Sequence, residues 1–185
     1  VTIFEIPTSP VSVPGSRLKE TLYQALEETS VTRIYNQRVT LVVKASDNGF
    51  ECLVGTDQMQ QSLVRSKAVL MAGGRFLGKG LVTEKYRIKE PLFNLPLSQP
   101  HHQDDWHAKN YFDLNGHLIN RAGIETDDDF RPMDPDRGVV YKNLYASGSI
   151  LAHQDWIRSK SGSGIAVATG YGAVEFCLRQ IGISD

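Results

Sequence analysis

The 185-residue sequence lacks the features that define several classes of protein. It has only two cysteines, Cys52 and Cys177, which lie far apart and beside apolar residues. This excludes a disulfide framework and a cysteine-ligated zinc or iron–sulfur centre, and it predicts two buried thiols in a reducing compartment. Neither sign of charge is in excess, since 20 Lys and Arg oppose 21 Asp and Glu for a formal net charge of −1. A nucleic-acid partner, which needs a basic surface, is therefore not expected.

Long hydrophobic runs and targeting signals are also missing. The longest apolar stretch, residues 164–181, is rich in glycine and contains Glu175 and Arg179, so it does not qualify as a membrane span. No signal peptide is visible. The chain begins at Val1 in a strand-like run without an initiator methionine, and we therefore expect a C-terminal fragment of a longer protein.

The sequence does contain a mixture of helix and strand patterns, with 41% hydrophobic residues to form a core. Residues 47–49, Asp-Asn-Gly, have the chemistry of a hairpin turn. Residues 76–142 have poor periodicity and five of the eight prolines, so an irregular segment with short strands is predicted there. The predicted elements are a strand at 1–6, a helix at 16–28, an antiparallel meander of strands at 31–35, 39–45 and 50–54, buried strands at 67–71 and 143–146, and a helix at about 162–181.

Glycine is abundant, with 16 residues, and three groups stand at the ends of predicted elements. Gly73 and Gly74 follow one buried strand, Gly148 follows the next, and residues 162–164, Gly-Ser-Gly, open the last helix. A helix N-terminus presents unpaired N–H groups and about half a unit of positive charge. This suits an anion, or a ring such as reduced flavin that carries negative charge near N1. On spacing alone, glycines that serve only turns and tight packing are an equally good interpretation.

The last predicted helix has a face of small residues made by Ala166, Gly170 and Ala173, with Gly172 beside it. Glycine costs about 1 kcal/mol at an interior helical position. Gly170 and Gly172 therefore predict that another element or a ligand approaches this helix closely.

Two further patterns are weaker. Gly73, Gly78 and Lys79 have the spacing of a phosphate-binding P-loop, but Gly80 stands where a Ser or Thr must reach magnesium, which disfavours nucleotide hydrolysis. Residues 101–107 contain three histidines and two aspartates in a spacing that matches no ligand pattern, so no metal site is predicted.

Several motifs together resemble a known group of flavoproteins. The meander, the strand ending at 69–74 (VLMAGG), residues 143–149 (NLYASGS) and the Gly-rich helix resemble the C-terminal part of two-dinucleotide-binding flavoproteins. More closely, short motifs throughout the chain resemble the family of anaerobic glycerol-3-phosphate dehydrogenase B subunits. These motifs lie at residues 5–8, 12–15, 123–127, 131–132 and 162–170.

The resemblance implies an α/β fold, α+β as a fragment, from the C-terminal part of a Rossmann-like FAD/NAD(P)-binding flavoprotein. The antiparallel meander belongs to it, together with an inserted irregular cap. Residues 1–75 and 143–185 would form the flavin domain, and residues 76–142 the insertion. The family's Gly-x-Gly-x-x-Gly turn, which seats the FAD pyrophosphate, is not found in this sequence.

The resemblance also implies a flavin, FMN or FAD, as cofactor. The residues that would hold it are Ala72, Gly73, Gly74, Gly148, Ser149, Ile150, Gly162, Ser163, Gly164, Ile165 and Ala166. Many relatives have Ala-Thr-Gly where this chain has residues 71–73, and an acidic residue where Ser149 stands.

The polar loop between the flavin-facing elements supplies the catalytic candidates. His153 would move a proton during hydride transfer, while Arg158 and Lys160 would hold a substrate phosphate or carboxylate. The alternative is a solvated loop anchored by Trp156.

By resemblance, the whole protein would oxidise sn-glycerol 3-phosphate and pass electrons towards quinone. Its partners would be a catalytic flavoprotein subunit and an iron–sulfur membrane-anchoring subunit, in the cytoplasm or at the inner face of the cell membrane. The fragment by itself is expected to be inactive. Two alternatives stay open: a fumarate-reductase-like flavoprotein acting on a small carboxylate, and a non-catalytic electron-relay or assembly subunit.

Overall fold

The structure is a computed structural model that describes residues 13–56 and 61–182. The chain forms two compact units, Val1–Gln37 and Arg38–Asp185. The predicted strand at residues 1–6 and the motif at residues 5–8 lie outside the described residues, as does Ser12 of the motif at 12–15.

The first unit contains helix α1, Val13–Glu27, close to the predicted helix at 16–28. The predicted strand at 31–35 is wrong, because the structure has no strand there. Instead of joining a ladder, this segment contacts the helix. The Tyr35 ring lies 5.7 Å from that of Tyr23, and the Arg33 guanidinium lies over both rings. The apolar residues of the segment thus belong to a loop that packs locally on α1.

The second unit begins with an antiparallel meander of β1 (Val39–Lys44), β2 (Phe50–Val54) and β3 (Ser62–Ser66), in that spatial order. The predicted hairpin turn is confirmed: Ala45 N–H donates to the Gly49 carbonyl at 2.9 Å, and Gly49 N–H donates to Asp47 Oδ1 at 3.0 Å. Two strands of the predicted meander, at 39–45 and 50–54, are thus present as β1 and β2. The third strand is β3, which follows them in sequence, whereas the predicted third strand at 31–35 would have preceded them.

Strand β4, Val69–Met71, leads into the segment predicted to be irregular. That segment holds two short hairpins and two 3₁₀ turns among the described residues: β5 (Val82–Glu84) with β6 (Arg87–Lys89), β7 (Met133–Asp134) with β8 (Gly138–Val139), Gln103–Asp105 and Leu118–Arg121. A buried carboxylate organises one of its loops. Glu90 accepts the N–H groups of Leu92 and Phe93 at 2.7 and 2.8 Å.

After the segment, β9 (Leu144–Ala146) pairs in parallel with β4, with Val69 opposite Leu144 and Met71 opposite Ala146. Helices α2 (Trp156–Ser159) and α3 (Gly162–Gln180) follow. The pairing joins the first and third parts of the chain across the insertion. The division at residues 75 and 142 itself stays a prediction.

The core of the second unit lies between the meander, the β4–β9 pair and the insertion. Its fully buried side chains include Phe50, Leu81, Ile124, Leu144 and Ile150. Of the two thiols, Cys52 is buried and Cys177 is half-buried, and both are free. Among the described residues, no helix combines the length and hydrophobicity needed to cross a membrane.

Helix α3 packs closely at only one of its two predicted glycine positions. A methyl group at Gly172 would lie 2.6 Å from Cε2 of Phe130, whereas one at Gly170 would meet no heavy atom within 4 Å. Ala173, beside Gly172, is fully buried. The predicted close approach is therefore confirmed at Gly172 and, within the described residues, not found at Gly170.

Candidate functional site

The candidate site lies where the two parallel strands end. Beyond β4 the chain continues into Ala72 and Gly73, and beyond β9 into Ser147 and Gly148, with Ser147 N–H donating to the Met71 carbonyl at 3.0 Å. In open α/β sheets, ligands bind at the carboxyl edge of the strands. The pairing thus brings two of the three predicted glycine groups to the edge where a ligand is expected.

Gly148 forms a buried turn that connects this edge to α3. Its φ of +76° favours glycine. Its N–H donates to Thr169 Oγ1 at 2.8 Å, and that hydroxyl donates to the Ile165 carbonyl at 2.6 Å. Gln154 Nε2 donates to the Gly148 carbonyl at 2.6 Å. The turn is therefore held from both sides, and it lies against the start of α3, since Ala166 Cα is 4.0 Å from the position of a Cβ atom at Gly148.

The start of α3 presents open backbone. The first intrahelical bond runs from Ile165 N–H to the Ser161 carbonyl at 2.9 Å, so the N–H groups of residues 162–164 have no acceptor within the helix. Ser163 and Gly164 are exposed, and a methyl group at Gly164 would meet no heavy atom within 4 Å. These N–H donors beside bare backbone fit the anionic edge of a flavin ring.

The loop at residues 73–80 uses its glycines to close on itself. A Cβ atom at Gly78 would overlap the Gly73 carbonyl oxygen, and one at Gly80 would overlap that of Gly74. The P-loop-like spacing thus has a steric cause. A Cβ atom at Gly74 would lie 3.5 Å from Ser149 Oγ, which places this loop directly against the Gly148 turn.

The remaining predicted cofactor residues differ in what they can offer a ligand. Ala72, Gly73 and Ala166 are exposed, and Gly162 and Ile165 are half-buried, with Gly162 beside the Trp156 ring. Ile150, by contrast, has a fully buried side chain, and its carbonyl accepts Ile124 N–H at 2.9 Å. Because the whole residue is 0% exposed, neither its side chain nor its backbone is accessible to a cofactor in the described part of the chain.

The three catalytic candidates lie at different places in the described part of the chain. His153 lines a cavity of about 240 Å³. Its Nε2 atom lies 2.7 Å from Glu125 Oε1. Arg158 lines a separate cavity of about 710 Å³, together with His107, Tyr111 and Asp155. Lys160 belongs to neither and ends α2 in a left-handed conformation with φ of +52°.

Two functional candidates were missed by sequence reasoning. Arg75, directly after the glycine pair, donates to the carbonyls of Asn120 and Ile119. Burial lowers the pKa of Arg75, and the Asp155 carboxylate opposes that shift. Arg75 therefore ties the glycine loop to the insertion. Glu125, the partner of His153, is 28 residues from it in sequence, and no local pattern connects them.

Several known proteins that are similar to this chain carry the same name. The chain is 32% identical over 174 residues to the probable B subunit of the anaerobic glycerol-3-phosphate dehydrogenase of Halobacterium salinarum, covering 92% of this chain and 39% of that protein. It is 30% identical over 185 residues to the B subunit of the anaerobic glycerol-3-phosphate dehydrogenase of Vibrio vulnificus, covering 100% and 41%. The Vibrio cholerae protein of that name is 26% identical over 175 residues, covering 94% and 39%. The chain thus spans about two fifths of the length of these relatives.

No solved structure matches the chain significantly. A family model described as "FAD binding domain" matches residues 1–165, which include both strand ends and the first turn of α3. The predicted α/β flavoprotein fold and flavin cofactor are thereby confirmed, with FAD as the form that the family names. The chain belongs to the FAD binding domain family.

Proposed function

We propose that this chain is part of a flavin-dependent dehydrogenase that oxidises sn-glycerol 3-phosphate. The observation that carries the proposal is the convergence of the β4 end, the Gly148 turn and the open N-terminus of α3 at one edge. The names of the relatives, which cover nearly all of this chain, support the substrate. When bound, FAD would supply a two-electron acceptor for hydride from a carbon bearing a hydroxyl group.

The chain's own residues would prepare that chemistry. N–H groups of residues 162–164 would hold the flavin edge that becomes negative on reduction. The exposed backbone at Ala72 and Gly73 would let the ring system lie against the strand end without a side chain between them. Arg158 and Lys160 stay proposed as anion-binding groups, and His153 as the proton acceptor.

We further propose that the whole protein works in a complex. The relatives are named as B subunits of an enzyme, which supports the existence of partner subunits. The proposed partners are a catalytic flavoprotein subunit and an iron–sulfur subunit that anchors the complex at the inner face of the membrane and passes electrons towards quinone.

The first experiment tests flavin binding in the full-length protein. The purified protein should show visible flavin absorbance, and Gly164→Leu should weaken FAD retention by about tenfold or more, since the added side chain would occupy the bare start of α3. Gly170→Leu is the matched control, because Gly170 lies in the same helix with equally open space, and it should retain FAD. A protein that takes up neither FAD nor FMN overturns the proposal.

The second experiment tests substrate oxidation by the assembled complex. Arg158→Ala and Lys160→Ala should each slow oxidation of glycerol 3-phosphate, mainly by raising KM, because each removes a cation that would hold the phosphate. If flavin is bound and neither change affects oxidation, the proposed substrate groups are wrong and a relay role for this subunit is favoured.

A further inference from the structure

Helix α3 is apolar around most of its circumference. Only two of its 19 residues, Glu175 and Arg179, are charged, and both lie in its C-terminal part. A helix at the surface of a protein normally places charged and polar residues on the side that faces water. A helix without such a side is typical of the interior of a larger structure.

One side of α3 already packs on the second unit. Ala173 is fully buried, and a methyl group at Gly172 would lie 2.6 Å from the Phe130 ring. The Phe176 ring has its centroid 6.4 Å from that of Phe130. These contacts explain the small and apolar residues on this side of the helix, but not those on the other side.

The opposite side, which we call the outer face, consists of Val167, Tyr171, Val174 and Leu178. These residues recur at intervals of four, three and four, so they lie along one side of the helix. Val167 is 73% exposed, Tyr171 is 71% exposed and Val174 is 43% exposed, and Leu178 is half-buried. A continuous exposed apolar surface of this kind marks a site of interaction with another protein element.

The parallel sheet next to α3 has an open edge. Val69 N–H donates to the Asn143 carbonyl at 3.1 Å, and Ser147 N–H donates to the Met71 carbonyl at 3.0 Å. Val69 and Met71 thus bond towards the β9 segment, and the N–H and carbonyl of Leu70, which lies between them, point away from it. Within the described residues, β4 and β9 are the whole of this sheet.

The β9 edge of the same sheet, in contrast, is bonded. Leu144 N–H donates to the Tyr141 carbonyl at 3.4 Å, and Ala146 N–H donates to the Phe130 carbonyl at 2.9 Å. Parallel sheets are found almost only where other elements cover them, and an open edge readily pairs with a further strand. The open β4 edge therefore indicates that this unit needs additional elements to complete its fold.

The length of the relatives favours the same polypeptide as the source of those elements. Their similarity covers 92–100% of this chain but only 39–41% of the relatives. A separate subunit would leave the outer face and the β4 edge exposed until assembly, when both are prone to aggregation. A segment of the same polypeptide would cover them during folding.

We propose that the outer face of α3 is an intramolecular docking surface, covered by the part of the longer protein that lies outside residues 1–185. The covering segment presents apolar side chains to Val167 and Val174, and a hydrogen-bonding group to the Tyr171 hydroxyl. The outer face begins after the first turn of α3, so it is separate from the N–H groups of residues 162–164. The proposal does not depend on the substrate of the enzyme.

Tyrosine nitration of the full-length protein, purified without other subunits, tests whether the outer face is covered. Tyr171 and Tyr86 are 71% and 73% exposed in this chain, so Tyr86 is a matched control. Tyr171 should react at least about tenfold more slowly in the folded protein than in urea, whereas Tyr86 should change less than about threefold. Nitration of Tyr171 at nearly the rate seen in urea overturns the docking surface. Protection that is lost on dilution assigns the face to a second copy and overturns the intramolecular contact.

Photocross-linking identifies what covers the face. In the full-length protein, Tyr171→p-benzoylphenylalanine should cross-link to a peptide of the same polypeptide outside residues 1–185, and Tyr86→p-benzoylphenylalanine is the control that should not. Cross-links from position 171 to a second copy, to another subunit or to a peptide within residues 1–185 overturn the proposal. A protein that retains FAD but leaves Tyr171 reactive contradicts only this inference, whereas a protected Tyr171 in a protein that binds no flavin contradicts only the proposed function.

Discussion

Replacing Gly172 by alanine should destabilise the protein, whereas the same change at Gly170, two residues earlier in α3, should stabilise it. A methyl group at Gly172 would lie 2.6 Å from Cε2 and 3.0 Å from Cζ of Phe130, whereas at Gly170 it would meet no heavy atom within 4 Å. The two positions share a helix and a residue type. Their difference therefore isolates the contact between α3 and Phe130.

Two opposing terms set the size of the effect. Both substitutions gain about 1 kcal/mol of helix propensity. At Gly172 an extra methyl group against a packed ring costs about 1–3 kcal/mol. The Phe130 ring would have to move, and the neighbouring Phe176 ring, whose centroid lies 6.4 Å from that of Phe130, limits that movement. We expect Gly170→Ala to stabilise and Gly172→Ala to destabilise by about 1 kcal/mol, which corresponds to opposite shifts of about 2–4 °C in Tm.

Thermal unfolding of the purified protein, followed by circular dichroism at several scan rates, measures both Tm values. Phe130→Leu removes the ring edge that the added methyl group would meet, so the double variant should lose the penalty of Gly172→Ala. Equal shifts of Tm in the same direction for the two glycine variants would refute the close packing of α3 on Phe130.

Three further outcomes follow from buried groups. Glu90→Gln should lower the free energy of unfolding by about 1.5–3 kcal/mol, since the buried carboxylate accepts three backbone N–H bonds; an unchanged urea midpoint would contradict this. Gly123→Ala should lower the free energy of unfolding by about 3 kcal/mol or more in the same assay, because the added methyl group overlaps backbone atoms of Ile150 and Leu151. A loss smaller than that of Gly172→Ala would show that Gly123 and the Ile150–Leu151 backbone can move apart. Burial raises the pKa of Cys52 and Cys177, so each neutral thiol's contribution to stability is complete below its unfolded pKa and is lost as pH rises through its folded pKa. Iodoacetamide at about pH 8.5 should therefore label both thiols slowly in the folded protein and rapidly in urea, and equal rates would speak against burial.

Elements with a strong local signal were predictable from sequence. The Asp-Asn-Gly turn at residues 47–49 carries its own hydrogen-bond acceptor in Asp47, so its conformation depends little on distant residues. Helix α3 and the ends of β4 and β9 are marked by apolar runs that stop at glycine. In each case the pattern that predicts the element is contained within the element.

The meander was only partly predictable because strand pairing depends on distant partners. Residues 31–35 have β-branched and aromatic residues but pack on α1 through Tyr35 and Arg33. Strand β3 begins and ends with serine and contains Arg65, so its apolar character is weak. It is a strand because β2 pairs with it, with Arg65 Nε donating to Glu51 Oε1 across the ladder at 2.8 Å. Tertiary pairing thus outweighs local propensity at both positions.

The residues of the candidate site were likewise only partly predictable from sequence. The glycine positions that border it were identified from the sequence, because each follows a recognisable element. Glu125 and Arg75 were not, because their roles depend on contacts across 28 and 45 residues of chain. Neither side chain differs in type from an ordinary surface residue, and only the fold shows that one faces His153 and the other is enclosed by backbone carbonyls.

Gly78, Gly80 and Gly123 differ from Gly164 in what surrounds the position of a Cβ atom. At Gly78, Gly80 and Gly123 a Cβ atom would overlap protein backbone, so these residues are needed for the chain to pack against itself. At Gly164 no described atom would be displaced by a Cβ atom, and the residue lies in the first turn of α3, where alanine would stabilise the helix by about 1 kcal/mol. Packing therefore gives no reason for glycine at this position. A ligand that approaches the N–H groups of that turn does give one, and this is why Gly164 rather than the buried Gly148 is the sharper test of flavin binding.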